Sequence, residues 1–96
     1  AARRTDRLDA KVAEIAAAGG GAIAVAMDVA EQASTIAAFE AAEAAFGPVD
    51  SVIANAGTSL DTPFLEHSPD EFDAILGVNL KGVFLTVQEA AKRMLA

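Results

Sequence analysis

Ser51-Val52-Ile53-Ala54-Asn55-Ala56-Gly57 is an apolar run that closes on a small, polar, glycine-ended turn. Such a run reads as a strand buried on both faces, whose C-terminal end opens onto a ligand rather than into a hairpin. Upstream, Ala22 to Met27 is equally short and apolar and is bounded by Gly21 and Asp28, so it reads as a second buried strand despite its alanines. Helical patterns flank both. Leu8, Val12 and Ile15 recur among charged residues between positions 5 and 18, with Gly19-Gly20-Gly21 as a stop. Positions 31 to 46 place Ile36, Phe39, Ala42 and Phe46 on one face and end at Gly47-Pro48. Ser68-Pro69-Asp70-Glu71 joins an N-cap, a proline at the first helical position and a capping-box acid, and starts a helix running to about Leu95. The order helix-strand-helix-strand-helix predicts parallel pairing in a three-layer α/β/α, doubly wound sheet.

Composition narrows the function. Ninety-six residues make at most one domain, and 53% hydrophobic residues are too many for a disordered chain. Mean hydropathy is +0.35. There is no cysteine and a single histidine, His67, so no metal site is expected and His67 is given no role. The net charge is −7, and no Lys or Arg occurs between Lys11 and Lys81 while eleven carboxylates do, the opposite of a nucleic-acid groove. Arg3, Arg4, Arg7 and Lys11 gather at the start, where an anionic ligand is expected; for Arg7 and Lys11 a solvated helix face with i,i+4 partners is the alternative. No apolar run approaches the ~20 residues that span a bilayer, so no membrane partner is expected. Ala-Ala-Arg-Arg carries neither an initiator Met nor a signal-type apolar core; it reads as an internal stretch of a longer chain, with the cytoplasm as the expected compartment.

Four places carry candidate chemistry. Gly19-Gly20-Gly21 follows a helix and precedes a strand, the reverse of a phosphate-binding loop, and reads as a helix C-cap. Asp28-Val29 ends the first strand, where a carboxylate is either a turn residue or an acceptor for an exocyclic amine. Asn55-Ala56-Gly57 combines small residues that let a bulky ligand approach the backbone, Gly57 permitting close approach or a positive φ. Asn79 is the anomaly. With Ile75, Val83 and Val87 at i−4, i+4 and i+8 it falls on an apolar helix face, where an unsatisfied amide costs roughly 1–3 kcal/mol, so it requires a partner. Its own helix is the bland one.

Asn55-Ala56-Gly57 after a strand, with Val78-Asn79-Leu80-Lys81-Gly82-Val83-Phe84 in a later helix, resembles the short-chain dehydrogenases/reductases, Rossmann-fold oxidoreductases using NAD or NADP. The resemblance implies that Asp28 accepts from the adenine amine and that the backbone of Val29 reads the ring edge. It implies that Asn55, Ala56 and Gly57 lie against the cofactor, and that Asn79 interrupts its helix and holds a water in a proton relay behind a catalytic Tyr and Lys. Ala54 departs from the family's Asn-Asn-Ala-Gly, whose first Asn braces the central sheet. A basic residue after the second strand favours the NADP 2′-phosphate where an acid favours NAD, which selects Arg3, with Arg4 in reserve, and NADP over NAD. The implied activity moves a hydride between NADP(H) and a small-molecule carbonyl or secondary alcohol. The last helix is expected to pair with its counterpart in a homotetramer, covering Phe84 and Leu85.

By the same resemblance, residues 1–96 form part of an NAD(P)-binding Rossmann domain, without its N-terminal glycine-rich unit or C-terminal catalytic half. The chain holds no tyrosine, the family's proton donor. In the strand order 3-2-1-4-5-6 the two strands read here are the third and fourth, about three spacings of ~4.8 Å apart, so no ladder joins them. The isolated peptide is therefore expected not to fold alone, and a cooperative melt in dilute solution would count against that. Two rivals stand beside the dehydrogenase: a non-catalytic Rossmann-frame binding or scaffold protein, and a flavodoxin-like or receiver-type domain. The loop Thr58 to His67 is placed at the entrance to a substrate pocket and names no ligand.

Overall fold

The computed structural model describes residues 1–59 and 61–96; Leu60, within the loop assigned to the pocket entrance, lies outside the described residues. The chain forms helices α1 (Thr5–Ala17), α2 (Gln32–Phe46), α3 (Pro69–Leu76) and α4 (Val83–Leu95). A 3-10 turn spans Phe64–Glu66 and a π-helical segment, Gly77–Gly82, joins α3 to α4.

The helix ends are set locally. At the end of α1, Gly20 N donates to Ile15 O (3.0 Å) and Gly19 N to Ala16 O (3.1 Å), with Gly19 at φ +90°, a Schellman stop. Gly47, at φ +82°, closes α2. At the start of α3, Ser68 Oγ accepts from Glu71 N (3.1 Å) and Pro69 takes the first helical position. The predicted capping box is only half made, because Glu71 Oε2 is buried without a hydrogen-bond partner.

The predicted doubly wound sheet is not formed among the described residues. Among the described residues neither 22–27 nor 49–54 is assigned as a strand. A single parallel bridge, Ala2 to Ala26, joins extended segments: Ala2 N donates to Val25 O (3.2 Å) and Met27 N to Ala2 O (3.0 Å). The physical reason is that an extended segment makes no hydrogen bonds within itself and becomes a strand only beside a neighbour. The radius of gyration is 15.4 Å, against ~12.5 Å for a compact chain of this length.

What core exists lies between α2 and α4, where Ala38 and Phe39 are buried with Leu85 and Ala90, together with Thr35 and Thr86. This corrects the expectation for Leu85, which is 8% exposed and belongs to the seam, while Phe84 is 58% exposed. Arg93 closes the same seam. Its Nε donates to Glu89 Oε1 (2.6 Å), its Nη1 to Glu43 Oε2 (2.7 Å), and the guanidinium lies 5.8 Å from the Phe39 ring centroid. No helix of the described residues is long and apolar enough to cross a membrane.

Candidate functional site

The helical path from α3 to α4 widens over Gly77–Gly82 with Asn79 inside the widened turn. The asparagine amide grips one residue of a distant loop through both backbone groups: Oδ1 accepts from Thr58 N (2.8 Å) and Nδ2 donates to Thr58 O (2.7 Å). Asn79 thus has the partner its sequence position required, but not its own helix, and it is exposed rather than buried. The extra residue of the π turn explains this, since it breaks the i±4 register that would align Asn79 with Ile75 and Val83. Gly57 does not use a positive φ. A Cβ added there would meet Asn79 Oδ1 at 3.6 Å, an ordinary contact, so the residue places the loop close to the amide without strain.

Three residues further along, Gly82 is buried against the loop after Met27. A Cβ at Gly82 would fall 2.7 Å from Val29 Cγ2 and 3.0 Å from Val29 Cβ, so only glycine allows this approach. The preceding residue is held by two bonds: Asp28 N donates to Ser34 Oγ (2.9 Å), and Ala30 N donates to Asp28 Oδ1 (3.0 Å). The turn reading of Asp28 is therefore correct for one oxygen of its carboxylate.

Arg3, Asp28, Val29, Asn55, Ala56 and Gly57 all line one groove of ≈ 1110 Å³. Ala38, Phe39 and Ala42 of α2 contribute an apolar floor, and Arg4, Arg7 and Lys11 join Arg3 on the rim. The volume exceeds that of most small-ligand sites, ~300–1,000 Å³. In the Rossmann strand order further strands lie between 22–27 and 49–54, over this floor, so only part of the groove is available to a ligand. Asn79 does not line the groove; it reaches it through Thr58, which does. Lys11 pairs with Glu14 (3.0 Å) at i,i+3 rather than the expected i,i+4, while Arg7 makes no salt bridge among the described residues. His67 lies outside the groove: its Nε2 hydrogen-bonds to Thr62 O, and its ring packs edge-on against Phe64 at 6.3 Å.

The sequence reading missed three residues that build this arrangement. Thr58 acts through its backbone, which no side-chain pattern reports. Gly82 follows Lys81 inside a helix, where a glycine already signals close approach. Ser34 stands early in α2, and a hydroxyl just after an Asp-containing turn is a candidate for bonding back to it. The groove's residues fit the adenosine half of a dinucleotide: a carboxylate with one oxygen unused by Ala30, small residues along Ala54 to Gly57, and cations at one end.

A family model described as short chain dehydrogenase matches residues 1–96. An L-rhamnose 1-dehydrogenase (NAD(P)(+)) of Azotobacter vinelandii is 44% identical over 81 residues, covering 84% of this chain and 32% of that protein. A short-chain type dehydrogenase/reductase from Mycobacterium marinum superposes with a TM-score of 0.92 at 33% identity, covering 98% of this chain and 37% of that one. An alcohol dehydrogenase from Thermococcus sibiricus, complexed with 5-hydroxy-NADP, superposes with a TM-score of 0.88 at 31% identity, covering 97% of this chain and 40% of that one. The extended segments 22–27 and 49–54 thus belong to a Rossmann α/β fold, although this chain alone pairs only one rung of it, and the receiver-type alternative falls away. The chain is a member of the short-chain dehydrogenase family, spanning about a third of the length of the curated relatives it matches.

Proposed function

We propose that this chain is the adenosine-binding part of an NADP-preferring oxidoreductase that moves a hydride between the nicotinamide and a carbonyl or secondary alcohol. The observation that carries this is the meeting of Arg3, Asp28, Val29, Asn55, Ala56 and Gly57 around one groove, from positions far apart in sequence. Arg3 directly follows Ala2, which bridges to Ala26, and in the family's strand order the residue after the second strand faces the 2′ substituent of the adenosine ribose. Asp28 offers its second carboxylate oxygen to the adenine amine, and the Val29 backbone lies against the ring edge. The small side chains from Ala54 to Gly57 admit the cofactor to the backbone.

When bound, the cofactor supplies the hydride chemistry. This chain's part is to orient it and to support proton delivery. Asn79 holds Thr58 and so fixes the loop that follows Asn55-Ala56-Gly57, and the widened turn around it offers backbone carbonyls to a relay water. The proton donor comes from outside these residues, which include no tyrosine. The exposed apolar side chains Phe72, Leu80, Phe84 and Val87 fit a helix-to-helix contact in a homo-oligomer.

The test is cofactor selectivity in the intact protein. Arg3→Ala is expected to weaken NADPH binding at least tenfold, the worth of roughly one charged hydrogen bond, while leaving NADH binding within about twofold. Equal losses for both cofactors would remove the 2′-phosphate role. NADPH binding without turnover of any carbonyl would instead favour the non-catalytic scaffold.

A further inference from the structure

Asp28 is fixed at two points, and only one involves its side chain. The Ala30 N–H bond to Oδ1 forms a local turn, whereas the bond from Asp28 N to Ser34 Oγ reaches six residues ahead into α2. Ser34 lies in the first turn of that helix, after Glu31 at the N-cap. Its oxygen would ordinarily serve its own helix end; here it holds the peptide at the end of the extended segment. Both bonds are partly buried, where leaving Asp28 N without an acceptor has a cost.

We infer that Ser34 is a positioning residue for purine recognition, setting the direction in which Asp28 and the Val29 backbone face the groove and hence the preference for a 6-amino over a 6-oxo purine. The inference rests on the proposed adenine contacts of Asp28 and Val29. A 6-amino group donates to a carboxylate, whereas a 6-oxo group sets an oxygen against it. A site built to accept a hydrogen bond from the 6-substituent rejects an analogue that carries no donor at that position. The rejection requires the carboxylate to be held in place, because a free one swings away from the repelling oxygen. Ser34 supplies that hold through the main-chain N–H of Asp28, while the Ala30 turn holds the side chain.

The experiment titrates intact protein with NADPH and with its reduced hypoxanthine analogue, reading both dissociation constants from nicotinamide fluorescence. The parent is expected to prefer NADPH by at least tenfold, and Asp28→Ala to lose that preference. Ser34→Ala should reduce the preference to about threefold by admitting the analogue, and Ser34→Thr, which keeps the hydroxyl, should restore it. If Ser34→Ala does not fold, Ser34→Thr against Ser34→Val makes the same comparison with and without the oxygen. An undiminished preference in Ser34→Ala, or equal weakening for both cofactors, overturns the role of Ser34 while leaving the Asp28 contact standing. A parent protein that binds both cofactors equally overturns the adenine reading itself.

Discussion

Along the seam between α2 and α4, Phe39 and Leu85 are each 8% exposed; at the rim of the groove Ile53, an equally apolar side chain, is 89% exposed. Both regions are rich in small and aliphatic residues, so hydrophobicity does not separate them. The difference lies in the backbone. A helix satisfies its own amides and needs a neighbour on one face only, so two helices can finish a seam between them. An extended segment needs a ladder at each edge and cover on both faces, and here it has one rung at Ala2 and Ala26.

The largest effect expected in the intact protein lies in the seam. Phe39→Ala should lower stability by about 3–5 kcal/mol in urea unfolding, because it leaves a cavity in the buried seam between α2 and α4 and removes the ring beside Arg93. A loss below about 1 kcal/mol would show that the seam is not what holds α2 to α4. Next comes the contact between helix and loop. Gly82→Ala should cost about 1–3 kcal/mol from overpacking against Val29, offset by up to ~1 kcal/mol of helix propensity. Adding Val29→Ala should recover most of the difference, and a second substitution with no effect would mean that the strain lies elsewhere. The smallest change is at a helix end: Ser68→Ala should cost about 1 kcal/mol, and Ser68→Asp much less, since the aspartate still accepts from Glu71 N. Identical melting curves for the two variants would remove the cap from the account of α3.

Legibility in the sequence follows the same division. The ends of α1, α2 and α3 could be read from Gly19, Gly47 and Ser68 because a cap is made by residues within a turn of one another. The segments 22–27 and 49–54 belong to a Rossmann α/β fold by the family's structures, yet neither forms a strand here, because in that fold their ladders run to strands that lie between them, and no local pattern supplies those. Asp28 and Asn55-Ala56-Gly57 are legible because they close apolar runs, where an α/β sheet exposes its ligand edge, whereas Arg3 and the adenine roles of Asp28 and Val29 come only from the family resemblance. Asn79 was recognisable as misplaced in a helix. That Thr58 answers it was not, since the two are 21 residues apart and the contact is to main chain. Leu85 was misassigned because periodicity gives a helix an apolar face without saying which neighbour takes which part of it.

The rung between Ala2 and Ala26 also governs alignment. Side chains of an extended segment alternate between faces, so a slip of one residue exchanges the two sides of the whole segment. Two backbone bonds, from Ala2 N and Met27 N, stand against that slip in this chain. Moved by one place, the segment would carry Val29 into the position of Asp28, and the carboxylate offered to the groove would turn to the opposite side. The parity of a single alanine pair thus decides whether an acid or a valine lines the groove at that point.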